Sequence, residues 1–225
     1  MSTTRKKPVR AKDQPGTRER LLDAGERLFA EFGYHGVSVR DIAQGAGVPL
    51  GLATYYFGTK EELFRQIVLR RADEHVGGIQ GSLRDAVESA GDAGPSLEQL
   101  IHAWFRPLVQ RAVHGGPGWR SYIHLIARAS SLKQTDGFMS ALNERYDPVR
   151  TEFVLLCAKA MPGTSRKTLF WCTHFLNSAI ITLLVEAGNI DRISGGMCKS
   201  SDLEGALDRM APFFAAGFRQ LAQSS

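Results

Sequence analysis

The sequence predicts an all-α protein with a short basic N-terminal arm, a small three-helix domain and a larger helical domain. Apolar residues recur at intervals of three and four through most of the 225 residues, as on the buried face of an amphipathic helix. Clusters of glycine and proline separate these stretches. No stretch alternates apolar and polar residues between hairpin turns, so strands are not predicted.

Composition and charge indicate a folded protein with a polyanionic partner. Hydrophobic residues make up 43% of the chain, which is enough for a packed core. The first twenty residues contain seven Lys or Arg and two acidic residues, so they carry the whole formal net charge of +5. Positive charge concentrated at one end is typical of proteins that bind polyanions.

The cysteines and the shortness of the apolar stretches predict the cellular compartment of the protein. The three cysteines form no C-x-x-C pair and no Cys/His ligand spacing, so free thiols are expected and no metal or cofactor is predicted. No stretch is apolar for long enough to cross a membrane or to serve as a signal peptide. A cytoplasmic protein is therefore expected.

The first helix is predicted to follow a disordered basic arm at residues 1–16. Thr17 has the residue type of an N-cap, and apolar residues at helical spacing continue to Phe32. Gly33 then fits the C′ position, where a backbone with positive φ ends many helices.

Residues 37–64 predict two short helices joined by a tight turn and followed by a third helix. Ser38 and Asp41 form an S-x-x-D cap, and Gly47 permits the sharp turn. The second short helix is expected from about Pro49 to Tyr56. A unit of this size is suited to placing one helix in the major groove of DNA.

Longer helices fill the rest of the chain. One is predicted from Thr59, which forms a T-x-x-E cap with Glu62, to about His75, where Gly77 and Gly78 weaken it. Further helices are predicted at about 79–90, 97–113, 119–131, 137–160, 166–188 and 203–221.

The motif VRDIA-x-x-AGV-x(6)-YYF-x-x-KEELF is close, without gaps, to the pattern of one family. Residues 17–64 resemble the DNA-binding domain of the TetR/AcrR family of bacterial repressors. The resemblance implies a helix-turn-helix domain at 17–64 and a ligand-binding and dimerisation domain at 65–225. It also implies a homodimer on double-stranded operator DNA, associated with the nucleoid when bound.

By this resemblance, several polar side chains reach DNA. Ser38 and Arg40 do so from the first short helix, and Arg40 is the candidate for a bidentate contact with guanine. Thr54, Tyr56 and Lys60 match family positions that hold phosphates, which fix the register but carry little sequence information.

The second short helix departs from the family pattern where it begins. Proline replaces the usual polar N-cap, and Leu50, Gly51 and Leu52 occupy positions that often carry base-reading polar groups. Since these residues cannot make bidentate hydrogen bonds, thymine-methyl contacts, close backbone approach at Gly51 and readout of DNA shape are predicted. Tyr55 fits either a DNA contact or the core. The basic arm fits either a DNA contact or a solubilising tail.

Two C-terminal segments predict a dimer interface. Segment 166–188 is apolar nearly all round, and segment 203–221 carries an apolar stripe beside several alanines. Together they fit a four-helix seam with a second copy, or burial within one subunit. Pro212 predicts a kink or a restart within the last helix.

The larger helical domain, which we call the body, also resembles one subgroup of this family. LEQLIHAWFRPLV, WRSYIHLIARA and MAPFFAAGFRQL are similar to PsrA-type TetR regulators, which respond to fatty acids or their acyl thioesters. This resemblance implies a small hydrophobic effector in a cavity. Aromatic and polar residues on mid-chain helices are the candidates for its lining, although each aromatic also fits plain core packing. The candidates are Trp104, Phe105, Trp119, Tyr122, Ile126, Phe138, Trp171, Phe175 and Asn177.

The predicted function is that of a ligand-responsive transcriptional regulator, by default a repressor released from a palindromic operator. A ligand-independent DNA-binding protein and a transcriptional activator of the same fold are the alternatives. An enzyme is not predicted, because the sequence contains no G-x-G-x-x-G after a strand, no P-loop, no G-x-S-x-G and no H-E-x-x-H motif.

Overall fold

The computed structural model describes residues 16–129, 137–185 and 188–223. Over these residues the chain forms eleven α-helices and no strand, as the sequence predicts. The predicted arm lies outside the described residues except for Gly16. The helices are α1 (Thr17–Phe32), α2 (Val39–Gly45), α3 (Leu50–Phe57), α4 (Lys60–Leu69), α5 (Ala72–Ala90), α6 (Leu97–His114), α7 (Gly116–Ala129), α8 (Gly137–Ala160), α9 (Arg166–Leu184), α10 (Asn189–Ile193) and α11 (Leu203–Gln223).

The N-terminal head consists of α1, α2 and α3 packed around apolar residues of α1. Leu21 and Phe29 are fully buried there, and the Phe29 ring meets Phe64 of α4 edge-on, with 4.9 Å between ring centroids. The predicted cap at Thr17 is wrong. Gly16, with φ of 99°, precedes the helix, and the buried Thr17 hydroxyl accepts a hydrogen bond from the Arg20 guanidinium.

The helix predicted from Thr59 to about His75 is in fact two helices. Thr59 caps α4 as predicted, since its hydroxyl accepts the Glu62 backbone N–H at 3.1 Å. The break falls at Arg70–Arg71, whereas Gly77 and Gly78 lie inside α5. Gly78 leaves room for the Arg111 guanidinium of α6, since an added Cβ would lie 2.8 Å from it and the arginine would have to shift.

Two arginines at this break fasten the head to the body. Arg70 donates hydrogen bonds to Asp23 at 2.6 Å and to Glu19 at 2.9 Å, both on α1. Arg71 pairs with Glu26 at 3.2 Å and lies over the Trp119 ring of α7, 5.1 Å from its centroid.

The body is a helical bundle with α5, α6, α8 and α9 around its core. α6 packs on α5 and α11, and α1 packs against α7. The observed bounds of α6, α8 and α11 agree closely with the predicted ones. Pro212 does not restart the last helix, which is continuous from Leu203 to Gln223. The five-residue α10 was not predicted, because so short a helix leaves no periodic pattern.

Removing Arg71 is expected to destabilise the fold strongly. The Glu26 side chain is 2% exposed, and its burial raises the pKa of the carboxyl even though Arg71 acts to lower it. Breaking a buried pair typically costs about 3 kcal/mol or more. We expect Arg71→Ala to lower the free energy of unfolding by about that amount in urea titrations at fixed protein concentration.

Arg65→Ala is the matched control. It removes the arginine of the surface pair with Glu62, so the loss should stay below about 1 kcal/mol. Equal losses in the two variants would contradict the importance of the buried pair.

Candidate DNA-binding surface and effector cavity

The turn between α2 and α3 is built by local hydrogen bonds. The Ser38 hydroxyl accepts the Asp41 N–H at 3.2 Å, and the Asp41 carboxylate accepts the Ser38 N–H at 2.8 Å. The Ser38 hydroxyl also donates to the Asp41 carboxylate at 2.7 Å. This bond, followed by the one from the Ser38 N–H, lowers the pKa of Asp41. Gly47 adopts φ of 64°, and the Val48 N–H returns to the Ala43 carbonyl at 3.0 Å. The predicted cap and glycine turn are both present.

One face of α3 is buried and the other is open. Ala53 and Phe57 are 0% and 4% exposed, so this face of α3 packs against the rest of the head. Leu50 and Tyr55 are 42% and 76% exposed on the outer face. Tyr55 is therefore not a core residue, and only the alternative of an outward-facing contact remains. Gly51 and Thr54 are exposed on the same short helix.

The remaining candidates for DNA contacts differ in how exposed their side chains are. Arg40 is exposed on α2, whereas Leu52 and Tyr56 are half-buried and Tyr56 packs against the core. The Lys60 ammonium lies 4.4 Å from the centroid of the Tyr34 ring. Partial burial lowers the pKa of Lys60. The structure therefore places an ammonium group at the first residue of α4, shortly after α3 ends, and against the Tyr34 ring.

Comparison with protein families decides the class of this chain. Residues 21–67 match the family described as bacterial regulatory proteins, tetR family. Residues 102–217, just over half of the chain, match the tetracyclin repressor-like C-terminal domain. The chain belongs to the TetR family. This is a family of transcriptional regulators, in agreement with the expectation that the chain is not an enzyme.

In sequence the chain matches less than half of the length of the curated relatives to which it is similar, whereas solved structures share its fold over most of their length. The repressor KstR2 of Rhodococcus jostii is 36% identical over 86 residues, which cover 38% of this chain and 40% of KstR2. The structure of KstR2 of Mycobacterium tuberculosis superimposes with a TM-score of 0.61 at 16% identity, covering 91% of this chain and 96% of that one. The fatty acid degradation regulator FadR of Bacillus halodurans gives 0.60 at 14%, covering 88% and 98%.

Behind the DNA-binding head of this TetR-family chain lies a cavity of about 680 Å³ between α5, α6, α8 and α9. Of the residues predicted to line it, Trp104, Phe105 and Asn177 do so. The Trp104 indole N–H donates to the Asn177 side-chain oxygen at 3.1 Å. The Asn177 amide in turn donates to the Thr173 carbonyl at 2.9 Å, so its side chain is held in place from both ends.

Four other pocket candidates lie elsewhere, which corrects the prediction. Trp119 and Tyr122 are buried on α7, where it meets the break between α4 and α5. Trp171 and Phe175 are 53% and 49% exposed on the outer face of α9. They fall on that face because the helical period turns Cys172 and Leu176 inward instead.

The last two candidates do not reach the cavity lining either. Ile126 is half-buried against the core and is not among the lining residues. The side chain of Phe138 lies outside the described part of the chain.

Three residues that were not predicted, His75, Tyr146 and Thr173, supply polar groups to the cavity lining. His75 Nδ1 is 2.6 Å from the Tyr146 hydroxyl. The other ring nitrogen of His75, Nε2, and the Thr173 hydroxyl have no hydrogen-bond partner among the described residues. A single polar residue within an apolar helical stripe was the available signal for each of them.

The environment of His75 keeps its imidazole neutral. Burial, together with the nearby positive charge of Arg111, lowers the pKa of His75 to about 3. Burial also raises the pKa of Tyr146 to about 12, so this phenol keeps its proton. The His75–Tyr146 pair is therefore uncharged at neutral pH.

A second buried tyrosine lies next to the end of α4. The Tyr122 hydroxyl donates to the Val68 carbonyl at 2.9 Å. Val68 is in the last turn of α4, where carbonyls lack partners within the helix. This hydrogen bond thus ties α7 to the helix that follows the DNA-binding head.

The described residues form neither a metal-binding group nor a membrane-spanning helix. Within the ranges given above, no three His, Cys, Asp or Glu side chains are grouped so that they could hold a metal ion. Among the same residues, no helix combines the length and apolar character needed to cross a bilayer.

His75 is expected to make the fold less stable in mild acid. Its pKa is about 3 in the folded chain and near 6.5 when unfolded. Below the unfolded value only the unfolded chain binds the proton, so stability falls as the pH drops toward the folded value. From about pH 7.5 to about pH 5 we expect this group to cost about 2 kcal/mol.

Urea titrations at both pH values check this expectation. The His75→Gln variant should lose that part of the pH dependence. His124→Gln, at an exposed histidine of α7, should keep it. Identical pH profiles for the wild type and His75→Gln would show that His75 is not held neutral.

Proposed function

We propose that this chain is a homodimeric, ligand-responsive repressor that leaves a palindromic operator when a small hydrophobic effector binds. The single observation that carries the proposal is the juxtaposition of two features. The outer face of α3 is exposed after the turn at Gly47, and an apolar cavity lies behind α4, the helix that follows this head. In this proposal the chain divides into a DNA-binding head at residues 17–64 and a ligand-binding and dimerisation body at residues 65–225. The protein would act in the cytoplasm, on DNA of the nucleoid.

The proposed DNA contacts divide into two kinds. Arg40 from α2 and the exposed residues Leu50 and Gly51 of α3 read base edges and methyl groups. Leu52, also on α3, is a further methyl contact. The phosphate contacts come from side chains at the start of α2, on α3 and at the start of α4. These side chains are Ser38, Thr54, Tyr55, Tyr56 and Lys60.

The proposed dimer forms through residues 166–188 and 203–221. Phe213 is 73% exposed on α11, close to the exposed Phe175 of α9. These rings line a groove of about 510 Å³ between the two helices. Large apolar side chains grouped on a surface mark protein–protein contacts. A second copy would cover this face and complete a four-helix seam.

The proposed effector is predominantly apolar. The resemblance to PsrA-type regulators supports a fatty acid or acyl thioester, as does the name of FadR, a fatty acid degradation regulator. The structure of KstR2 is that of a ketosteroid transcriptional regulator, which supports a polycyclic molecule instead. Both classes are apolar, and a cavity of about 680 Å³ is within the usual size for small-molecule sites.

The proposed mechanism is a two-state switch. In one state the dimer holds its recognition helices roughly 34 Å apart, one turn of DNA. The effector favours a second state in which α4 takes another position and the heads leave this spacing. Coupling of about 1–3 kcal/mol would lower operator affinity about 5- to 150-fold.

Operator binding tests the DNA-binding part. Fragments selected from random DNA by the wild-type dimer supply the operator for gel-shift titrations. We expect Arg40→Ala to weaken specific binding by about 1–3 kcal/mol. Lys60→Ala should instead reduce the slope of log K against log salt by about one. Arg84→Ala, at an exposed position of α5, is the control. Unchanged operator affinity in Arg40→Ala would remove Arg40 from the base contacts.

Sedimentation tests the dimer. Phe213→Glu should weaken dimerisation by at least about 2 kcal/mol, or roughly thirtyfold, because a charge would enter an apolar contact. Phe32→Glu changes a phenylalanine on α1 that is 54% exposed and should leave the dimer intact. If Phe213→Glu dimerises like the wild type, the interface lies elsewhere.

A further inference from the structure

The ammonium group of Lys60 is held by an aromatic ring rather than by an acid. It lies 4.4 Å from the centroid of the Tyr34 ring, a distance at which the face of a ring attracts a cation. None of the ion pairs among the described residues includes Lys60, and no described residue accepts a hydrogen bond from its ammonium. A carboxylate partner would cancel the charge of the lysine, whereas a neutral ring leaves that charge and the three N–H donors available.

Four arginines of the head and of its junction with the body are used differently. Each makes an ion pair with a carboxylate, so its charge already has a partner within the fold. The pairs are Arg18 with Glu19, Arg65 with Glu62, Arg70 with Glu19 and Asp23, and Arg71 with Glu26. Lys60 differs from them because its position is held while its charge is kept.

The Tyr34 ring is itself fixed by the core of the head. It meets the Phe64 ring edge-on, with 4.8 Å between centroids, and lies 6.0 Å from the Phe29 ring. Both phenylalanines are buried. Lys60 and Phe64 are four residues apart on α4 and therefore lie on one face of the helix, which lets a single ring contact both. The ring is thus a rigid support for the ammonium.

Asp41 is the acid that could compete with the ring for Lys60. Partial burial lowers the pKa of Lys60, and the charge of Asp41 acts in the opposite direction. The Asp41 carboxylate is occupied by the cap of α2, however, since it accepts the Ser38 N–H at 2.8 Å and the Ser38 hydroxyl at 2.7 Å. Asp41 therefore attracts the lysine without forming an ion pair with it.

The Tyr34 ring connects the start of α4 to the turn before α2. Tyr34 lies between α1 and α2, four residues before the Ser38 cap. Arg40, the proposed base contact, is in the first turn of the helix that this cap begins. Holding Lys60 against the turn therefore fixes its ammonium relative to the residues proposed to contact DNA.

We propose that Tyr34 is a positioning residue for operator binding, whose ring holds the Lys60 ammonium in place for a DNA phosphate without cancelling its charge. The inference rests on the proposed function, in which Lys60 contacts a phosphate. A lysine on a surface moves among many rotamers, and a phosphate contact has to stop that motion at a cost in free energy. The ring restricts the side chain already in the free protein, so less conformational entropy is lost when DNA binds.

Proton NMR of the free protein tests the position of Lys60. Protons above the face of an aromatic ring resonate upfield of their usual position. We expect the ε-methylene protons of Lys60 to be shifted upfield in the wild type and to return to the usual position in Tyr34→Leu. Their resonance is assigned by its loss in Lys60→Met. Unshifted protons in the wild type would overturn the proposal, because the ammonium would then not be held over the ring.

A fluorinated series at position 34 tests the effect on DNA binding. The series replaces Tyr34 by phenylalanine and by phenylalanines with one, two and three ring fluorines, which weaken the negative face of the ring stepwise and nearly keep its size. We expect operator affinity in gel-shift titrations to fall with each fluorine, because it scales with the fraction of molecules that hold the ammonium in place. Across the series the loss should be about twofold to fivefold, the usual strength of an exposed cation–π contact.

Two controls show whether the ring acts through the lysine. In the Lys60→Met background the same series should have no effect on operator affinity, since two residues that act through one contact are not additive. Phe32, an exposed phenylalanine of α1 with no described cation over its ring, is the matched position. The same fluorinated residues at position 32 should leave operator affinity unchanged.

Each other outcome counts against the proposal. Affinity that is independent of the fluorines at position 34, or a dependence that persists in Lys60→Met, would show that the ring acts on packing alone. Failure here is distinguishable from failure of the proposed function. If Lys60→Met weakens operator binding and lowers the salt slope while the fluorines have no effect, the phosphate contact stands and only the role of Tyr34 falls. If the wild type binds no operator, the proposed function itself falls, and this inference with it.

Discussion

The buried carboxylate of Glu26 is the constraint on which the junction between head and body depends. A charge that is 2% exposed needs a partner, and Arg71 can supply one only because the chain breaks between α4 and α5. The same break brings Arg71 over the Trp119 ring. One ion pair therefore joins the first helix of the head to the start of α5 and to α7. Any change in the position of α4 must be accommodated at this point.

The second link across the junction is uncharged. The Tyr122 hydroxyl occupies the otherwise unpaired Val68 carbonyl near the end of α4. An ion pair on one side and this hydrogen bond on the other thus hold the end of α4. The His75–Tyr146 pair, 2.6 Å apart, lies at the wall of the cavity.

The apolar character of α9 on nearly all sides is explained by a need to cover two of its faces. Its inner face supplies Thr173 and Asn177 to the cavity, while its outer face exposes Trp171 and Phe175. A helix that is apolar nearly all round is stable in water only if both faces are covered. The bundle covers the first face, and a second copy of the chain would cover the other. Effector binding and dimerisation would then use opposite sides of one helix.

The sequence by itself determined most of the helices, the DNA-binding head and the family. The Ser38 cap, the Gly47 turn and the inward Ala53 are local features, set by residues within one or two turns of each other, so their pattern is legible in the chain. The bounds of α6 and α8 were predicted for the same reason. The exposed face of α3 followed from its period once Ala53 and Phe57 were known to point inward.

Only the tertiary structure decided the cavity and the break before α5. His75, Tyr146 and Thr173 are separated by up to about a hundred residues and become a site only when three helices pack together. Trp171 and Trp104 look alike in sequence, yet packing turned one outward and the other into the cavity lining. The two glycines at 77–78 signalled a helix end, but the break falls earlier, at Arg70–Arg71, where both arginines pair with acidic residues of α1 that are distant in sequence.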